Sequence, residues 1–101
     1  MKIQKFDSVW DAISPTPEEA ENMKVRSQLV IALNGLIKKR GLNTIQAAAL
    51  LGVSQPRISE LATGKIQLFS VDKLINMLAH AGMQIGTIEI SEPVAALLQR
   101  S

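Results

Sequence analysis

One arrangement constrains this chain more than any other: two short helical segments joined through a single glycine, in "LNTIQAAALLGVSQPRISELATGK". Asn43 caps the first segment, and Gln46, three residues on, can reach back to close a capping box. Ala47, Ala48 and Ala49 favour helix, and Gly52 stops it. The next helix begins at Ser54. Pro56 is tolerated there because first-turn amides have no intrahelical acceptor to donate to. About three residues therefore join two helices, a length typical of a helix-turn-helix. Such a turn needs a small residue where the helices cross, a residue able to take positive φ, and apolar anchors on the second helix. The sequence supplies Ala48, Leu51, Gly52, Val53, Ile58 and Leu61 at those positions. A small residue four before a glycine is common on its own. All six positions together with both caps make a specific signal.

The segments around this pair read as further helices. Thr16 caps, Pro17 suits the first helical position and Glu19 closes a capping box. Glu18, Glu19 and Glu21 favour the positive end of that helix. Ala20, Met23, Val30, Leu33 and Ile37 recur at helical spacing, widened by Leu29 and Leu36. Lys38, Lys39, Arg40 and Gly41 end it. A helix over 17–40 would be about 36 Å long, long enough to invite a kink near residues 26–28. Ser70 caps a last helix with Val71, Leu74, Ile75 and Leu78 on one face and Gly82 as its stop. After Gly82 the period changes, and "MQIGTIEIS" alternates like a short strand with a glycine irregularity. "KIQKF" near the N-terminus alternates too. Lone strands leave unpaired edges, so these two pair with each other or across a dimer. The expected organisation is an N-terminal arm or strand over 1–15, a helical domain over 16–82, and a C-terminal strand and tail over 83–101. The expected fold is mainly all-α, a bundle of four to five helices with short terminal β-strands.

Composition narrows the chemistry. The chain has 101 residues, 47% hydrophobic and 20% charged, which reads as one globular domain with tails. Its aromatics are Phe6, Trp10 and Phe69, so the core is expected to be aliphatic. There is no cysteine and no tyrosine, and His80 is the sole histidine. No thiolate metal site, no disulfide framework and no catalytic constellation is expected, and no cofactor. A membrane span or secretory signal is not visible, and a reducing cytoplasm is the expected compartment. The net charge of +2 is unevenly spread. Residues 1–23 hold two cations and five carboxylates; residues 24–73 hold eight cations and two carboxylates; residues 74–101 hold one cation and two carboxylates. A basic middle between acidic ends meets a polyanion or is simply a solvated surface.

The glycine-jointed stretch resembles the Xre/Cro family of DNA-binding repressors, which includes the phage repressors. From "SVWDAISPTPEEAENMKVRSQL" through "GKIQLFSVDKLINML" the chain is similar to small Xre-family antitoxins of HigA type. The resemblance covers about residues 8–82. It departs at "NTIQAAA", where relatives commonly carry a more polar "TQAEAAE". It implies a lambda-repressor-like fold and a repressor that binds double-stranded DNA. The antitoxin resemblance implies, further, a RelE-like ribonuclease toxin as partner.

A recognition helix lies in the major groove with its N-terminal residues at the base edges. Gln55 and Arg57 are then the base readers, since glutamine bonds adenine bidentately and arginine bonds guanine O6 and N7. Glu60, three residues after Arg57, either orients it or accepts from a cytosine amine. Ser59 points outward, toward a phosphate or a base. Pro56 stiffens the first turn, with contact to a thymine methyl as its other reading. The resemblance puts Thr44 beside a phosphate, helped by the helix amides. Ser54 and Lys65 are further phosphate candidates. Lys38, Lys39 and Arg40 either reach the DNA backbone or only solvate a helix end, the latter being the plainer reading. His80 reads as a partly buried side chain, Met23, Met77 and Met83 as core filler, and Trp10 as a staple or a protein-binding anchor. A homodimer on an inverted-repeat operator follows, with half-sites about one helical turn apart. The rivals are a stand-alone phage-type repressor and a helical adaptor that binds protein only.

Overall fold

The computed structural model describes residues 16–92. In order these form α1 (Pro17–Arg40), α2 (Thr44–Leu51), α3 (Gln55–Ala62), a 3-10 turn (Ile66–Leu68) and α4 (Val71–His80). The fold is mainly helical, as the punctuation of the sequence implies. Thr16 and Glu19 form a reciprocal capping box: the Glu19 amide donates to Thr16 Oγ1 at 3.1 Å, and the Thr16 amide to Glu19 Oε1 at 3.0 Å. Asn43 and Gln46 repeat the device at α2, at 2.8 and 3.0 Å. At α4 the Lys73 amide donates to Ser70 Oγ at 3.1 Å. Each box satisfies amides that the helix itself leaves orphaned.

The core is one cluster drawn from every helix. Val30, Leu33 and Leu36 come from α1, Ala47, Ala48 and Leu51 from α2, Ile58 and Leu61 from α3, and Leu74, Met77 and Leu78 from α4. It is not wholly aliphatic. Phe69 is fully buried, just after the 3-10 turn, and is the largest side chain in the core. Two polar side chains of α1 fix this region. Arg26 Nη1 donates to the carbonyls of Ile66 and Phe69, both at 3.4 Å, and Asn34 Nδ2 donates to the Leu61 carbonyl at 3.0 Å. They satisfy backbone acceptors where the chain leaves helical geometry.

Two expectations fail, each for a physical reason. The apolar periodicity of α1 begins at Ala20 and Met23, yet both are exposed. The helix runs continuously for 24 residues, and its first two turns extend past the residues that α3 and α4 can cover. Met83 is 41% exposed and is no more core than Met23, whereas Met77 is buried. The alternating segment after Gly82 pairs with no strand among the described residues, where the amides and carbonyls from Gln84 to Ser91 have no hydrogen-bond partner; pairing across a dimer is a matter between two chains. The "KIQKF" segment expected beside it, and Trp10, lie outside the described residues.

Candidate nucleic-acid interface

The joint between α2 and α3 is built as its residues require. Gly52 has φ +69° and ψ 35°, the left-handed region, and its amide donates to the Ala48 carbonyl. An L side chain there would be strained by the dihedral alone. A second constraint was not legible in the sequence. A Cβ on Gly52 would lie 2.8 Å from His80 Cδ2 and 2.9 Å from His80 Nε2. His80 leans across from the end of α4, and its Nδ1 lies 2.9 Å from the Leu50 carbonyl. A carbonyl only accepts, so Nδ1 carries the proton and donates. The histidine thus closes one of the orphan carbonyls at the end of α2. It is an exposed clamp on the turn, not a partly buried packing residue. The signal that could have found it is the pairing of a lone histidine at a helix end with a glycine reserved for close approach.

Ser54 occupies the N-cap position of α3 with extended backbone, but its hydroxyl makes no capping bond. Pro56 at the second helical position has no amide, and the Arg57 amide at the third, the one the other caps use, is not taken up by Ser54. The hydroxyl of Ser54 and the amides of Gln55 and Arg57 are therefore presented together at the start of α3. Gln55, Pro56 and Ser59 are all exposed on the same helix, and Thr44 is exposed at the start of α2. Lys65 is exposed in the turn after α3, where its amide donates to the Glu60 carbonyl at 3.0 Å.

Arg57 is exposed but not free. Its Nη1 donates to Glu60 Oε1 at 2.9 Å and lies 3.4 Å from the Leu68 carbonyl. Its guanidinium sits 5.6 Å from the centre of the Phe69 ring, within cation–π range. Three partners thus draw the arginine along α3 toward the 3-10 turn. Glu60 is ion-paired with Arg57 within the chain. Phe69 was legible as an aromatic, but its double duty was not: buried on one side, it meets the arginine on the other. Lys38, Lys39 and Arg40 form the exposed last turn of α1, ahead of Gly41.

This geometry is that of a helix-turn-helix with an outward-facing second helix, and comparison with known proteins decides its kin. A family model described as "Helix-turn-helix domain" matches residues 14–91. A solved structure assigned by name to the XRE family of transcriptional regulators is 32% identical; the match covers 75% of this chain and 85% of that chain, with a TM-score of 0.66. The chain belongs to the Xre-type helix-turn-helix family. No curated protein matches it. In this Xre-type chain α2 and α3 are the two helices of the helix-turn-helix, and domains of this kind lay the second in the major groove. Among the described residues no three His, Cys, Asp or Glu side chains gather where they could hold a metal ion. No helix among them is long and apolar enough to cross a membrane.

Proposed function

We propose that this DNA-binding regulator of the Xre type is a sequence-specific repressor that acts as a homodimer on an inverted-repeat operator. The observation that carries the reading is the surface of α3. Its buried side, Ile58 and Leu61, holds it to the core, while Gln55, Arg57 and Ser59 face outward beside uncapped amides. Gln55 and Arg57 read base edges, with Glu60 setting the position of Arg57 or accepting from cytosine, and Pro56 touching a thymine methyl. Thr44, Ser54 and Lys65 bind phosphates and fix the register. Residues 16–82 form the DNA-binding domain, with residues 1–15 and 83–101 as accessory segments.

A second layer of the proposal is that the protein is the antitoxin of a toxin–antitoxin module and represses its own operon. Its support is the resemblance of the "VWDAI" and "TPEEAENMK" segments to HigA-type antitoxins. The acidic balance of residues 1–23 also suits a basic ribonuclease of RelE type. Titrating the protein onto DNA from upstream of its own gene, at low and at moderate salt, tests the first layer. A shifted band that survives excess unrelated DNA is expected, and an unshifted band at low salt refutes it. Co-purification with the product of the adjacent gene tests the second. A neighbour with no ribonuclease activity and no affinity for this chain leaves a stand-alone repressor.

A further inference from the structure

Arg26 sits half-buried on α1, far along the chain from the recognition helix. The two ion pairs among the described residues, Lys24–Glu21 and Arg57–Glu60, do not include it. Its Nε is buried and has no hydrogen-bond partner. Taking a guanidinium out of water is costly unless its donors are used. The bonds it makes run from Nη1 to the Ile66 and Phe69 carbonyls. Both acceptors belong to the stretch that also holds Arg57. The Leu68 carbonyl, between them in sequence, lies 3.4 Å from Arg57 Nη1, and the Phe69 ring centre lies 5.6 Å from the Arg57 guanidinium. Phe69 has extended backbone, with φ −123° and ψ 131°. In extended chain successive peptide units face opposite ways, so the Leu68 and Phe69 carbonyls take one arginine each. At 3.4 Å each of these bonds is long, and none locks the stretch alone. Together they grip it from both sides, around a fully buried ring.

We infer that Arg26 is a positioning residue for base reading: from the far side of the 66–69 stretch it sets the Leu68 carbonyl and the Phe69 ring where they guide Arg57. The inference deepens the base-reading role proposed for Arg57 and rests on it. Without Arg26 the Ile66 and Phe69 carbonyls lose a charged donor, and the stretch loses this tie to α1. Arg57 then keeps Glu60 but loses a fixed second support. Its planar fork meets a base edge over a wider range of directions. A bidentate contact depends on direction more than a phosphate contact does, so the loss falls at one base position.

Competition binding across single-base operator variants tests this, with the wild-type chain, Arg26→Met, Arg57→Ala and the double variant, each checked for folding by circular dichroism. Arg57→Ala defines the position that Arg57 reads. There Arg26→Met should reduce the preference by about threefold or more, the low end of the coupling between neighbouring side chains, and elsewhere it should leave preference unchanged. In the Arg57→Ala background, Arg26→Met should remove nothing further at that position. A preference that Arg26→Met leaves intact, a weakening equal at all positions, or losses that simply add in the double variant overturns the inference while Arg57 keeps its reading role. An Arg57→Ala chain with every preference unaltered overturns the reading role and the inference with it. Side-chain NMR of the DNA-free protein gives a measure independent of the operator. The Nε–H order parameter of Arg57 should exceed that of Arg40, exposed at the end of α1, and should fall to that level in Arg26→Met. A wild-type Arg57 as mobile as Arg40 overturns the inference even if the variant does not fold.

Discussion

Arg57 has two sets of partners that compete. Within the protein it rests on Glu60, the Leu68 carbonyl and the Phe69 ring. To bond guanine bidentately it must turn at least one nitrogen outward. Half-exposed ion pairs contribute little, about 0–1 kcal/mol, so the internal partners steer the side chain without locking it. Arg57→Ala should lose about 1–3 kcal/mol of discrimination at one operator position and leave the fold intact. Competition binding across single-base operator variants checks this, and an unchanged preference at every position removes the arginine from base reading. Gly52 offers a second test at this scale. Gly52→Ala should cost about 1–2 kcal/mol for the left-handed dihedral. Displacing the His80 ring from the Leu50 carbonyl should add about 0.5–1.5 kcal/mol. Urea unfolding of Gly52→Ala, His80→Ala and the double variant separates the two parts, since only the second is relieved when the ring is already gone.

At the scale of elements, α1 divides into a buried half and a projecting half. Leu33 is fully buried, while Met23 lies on a stretch of helix that packs on nothing in the core. Leu33→Ala should therefore cost about 2–5 kcal/mol, and Met23→Ala less than about 0.5 kcal/mol, by the same denaturation measurement. The sequence pattern could not separate them, because both sit on one apolar stripe. Periodicity reports which side of a helix is apolar, and only tertiary packing decides how far along that side the core extends. The caps were more legible. Thr16, Asn43 and Ser70 act on amides within three residues, so the information is local. Ser54 has the same position and residue type and makes no such bond, for which the structure shows no cause. The segment after Gly82 differs again: alternation marks it as suited to pairing, and whether it pairs depends on a neighbour outside the described residues of one chain. The joint at Gly52 was readable from spacing, whereas the approach of His80, 28 residues later in the chain, was not.

Across the whole molecule, charge is unevenly spread along the chain. The excess of cations falls between residues 24 and 73, the span that contains α2, α3 and the turn after α3. Lys65 is exposed beside α3, where a phosphate contact would be independent of sequence. Lys65→Ala should weaken binding to all DNA alike and reduce the slope of log affinity against log salt by about one unit. An unaltered slope would move that contact to another cation. The packing of α1 against α4 has a consequence for how the chain is made. These are the first and last helices described, and they share one of the two most extensive helix contacts; α2 and α3, adjacent in sequence, share the other. The reading unit can thus assemble locally as it emerges, but Leu33, Leu51 and Leu61 stay open to water until Leu74 to Leu78 have been synthesised. A nascent chain halted before α4 lacks Leu74, Met77 and Leu78, the α4 share of the core. His80, at the end of α4, then donates to the Leu50 carbonyl and latches the turn between α2 and α3 from a part of the chain made after both.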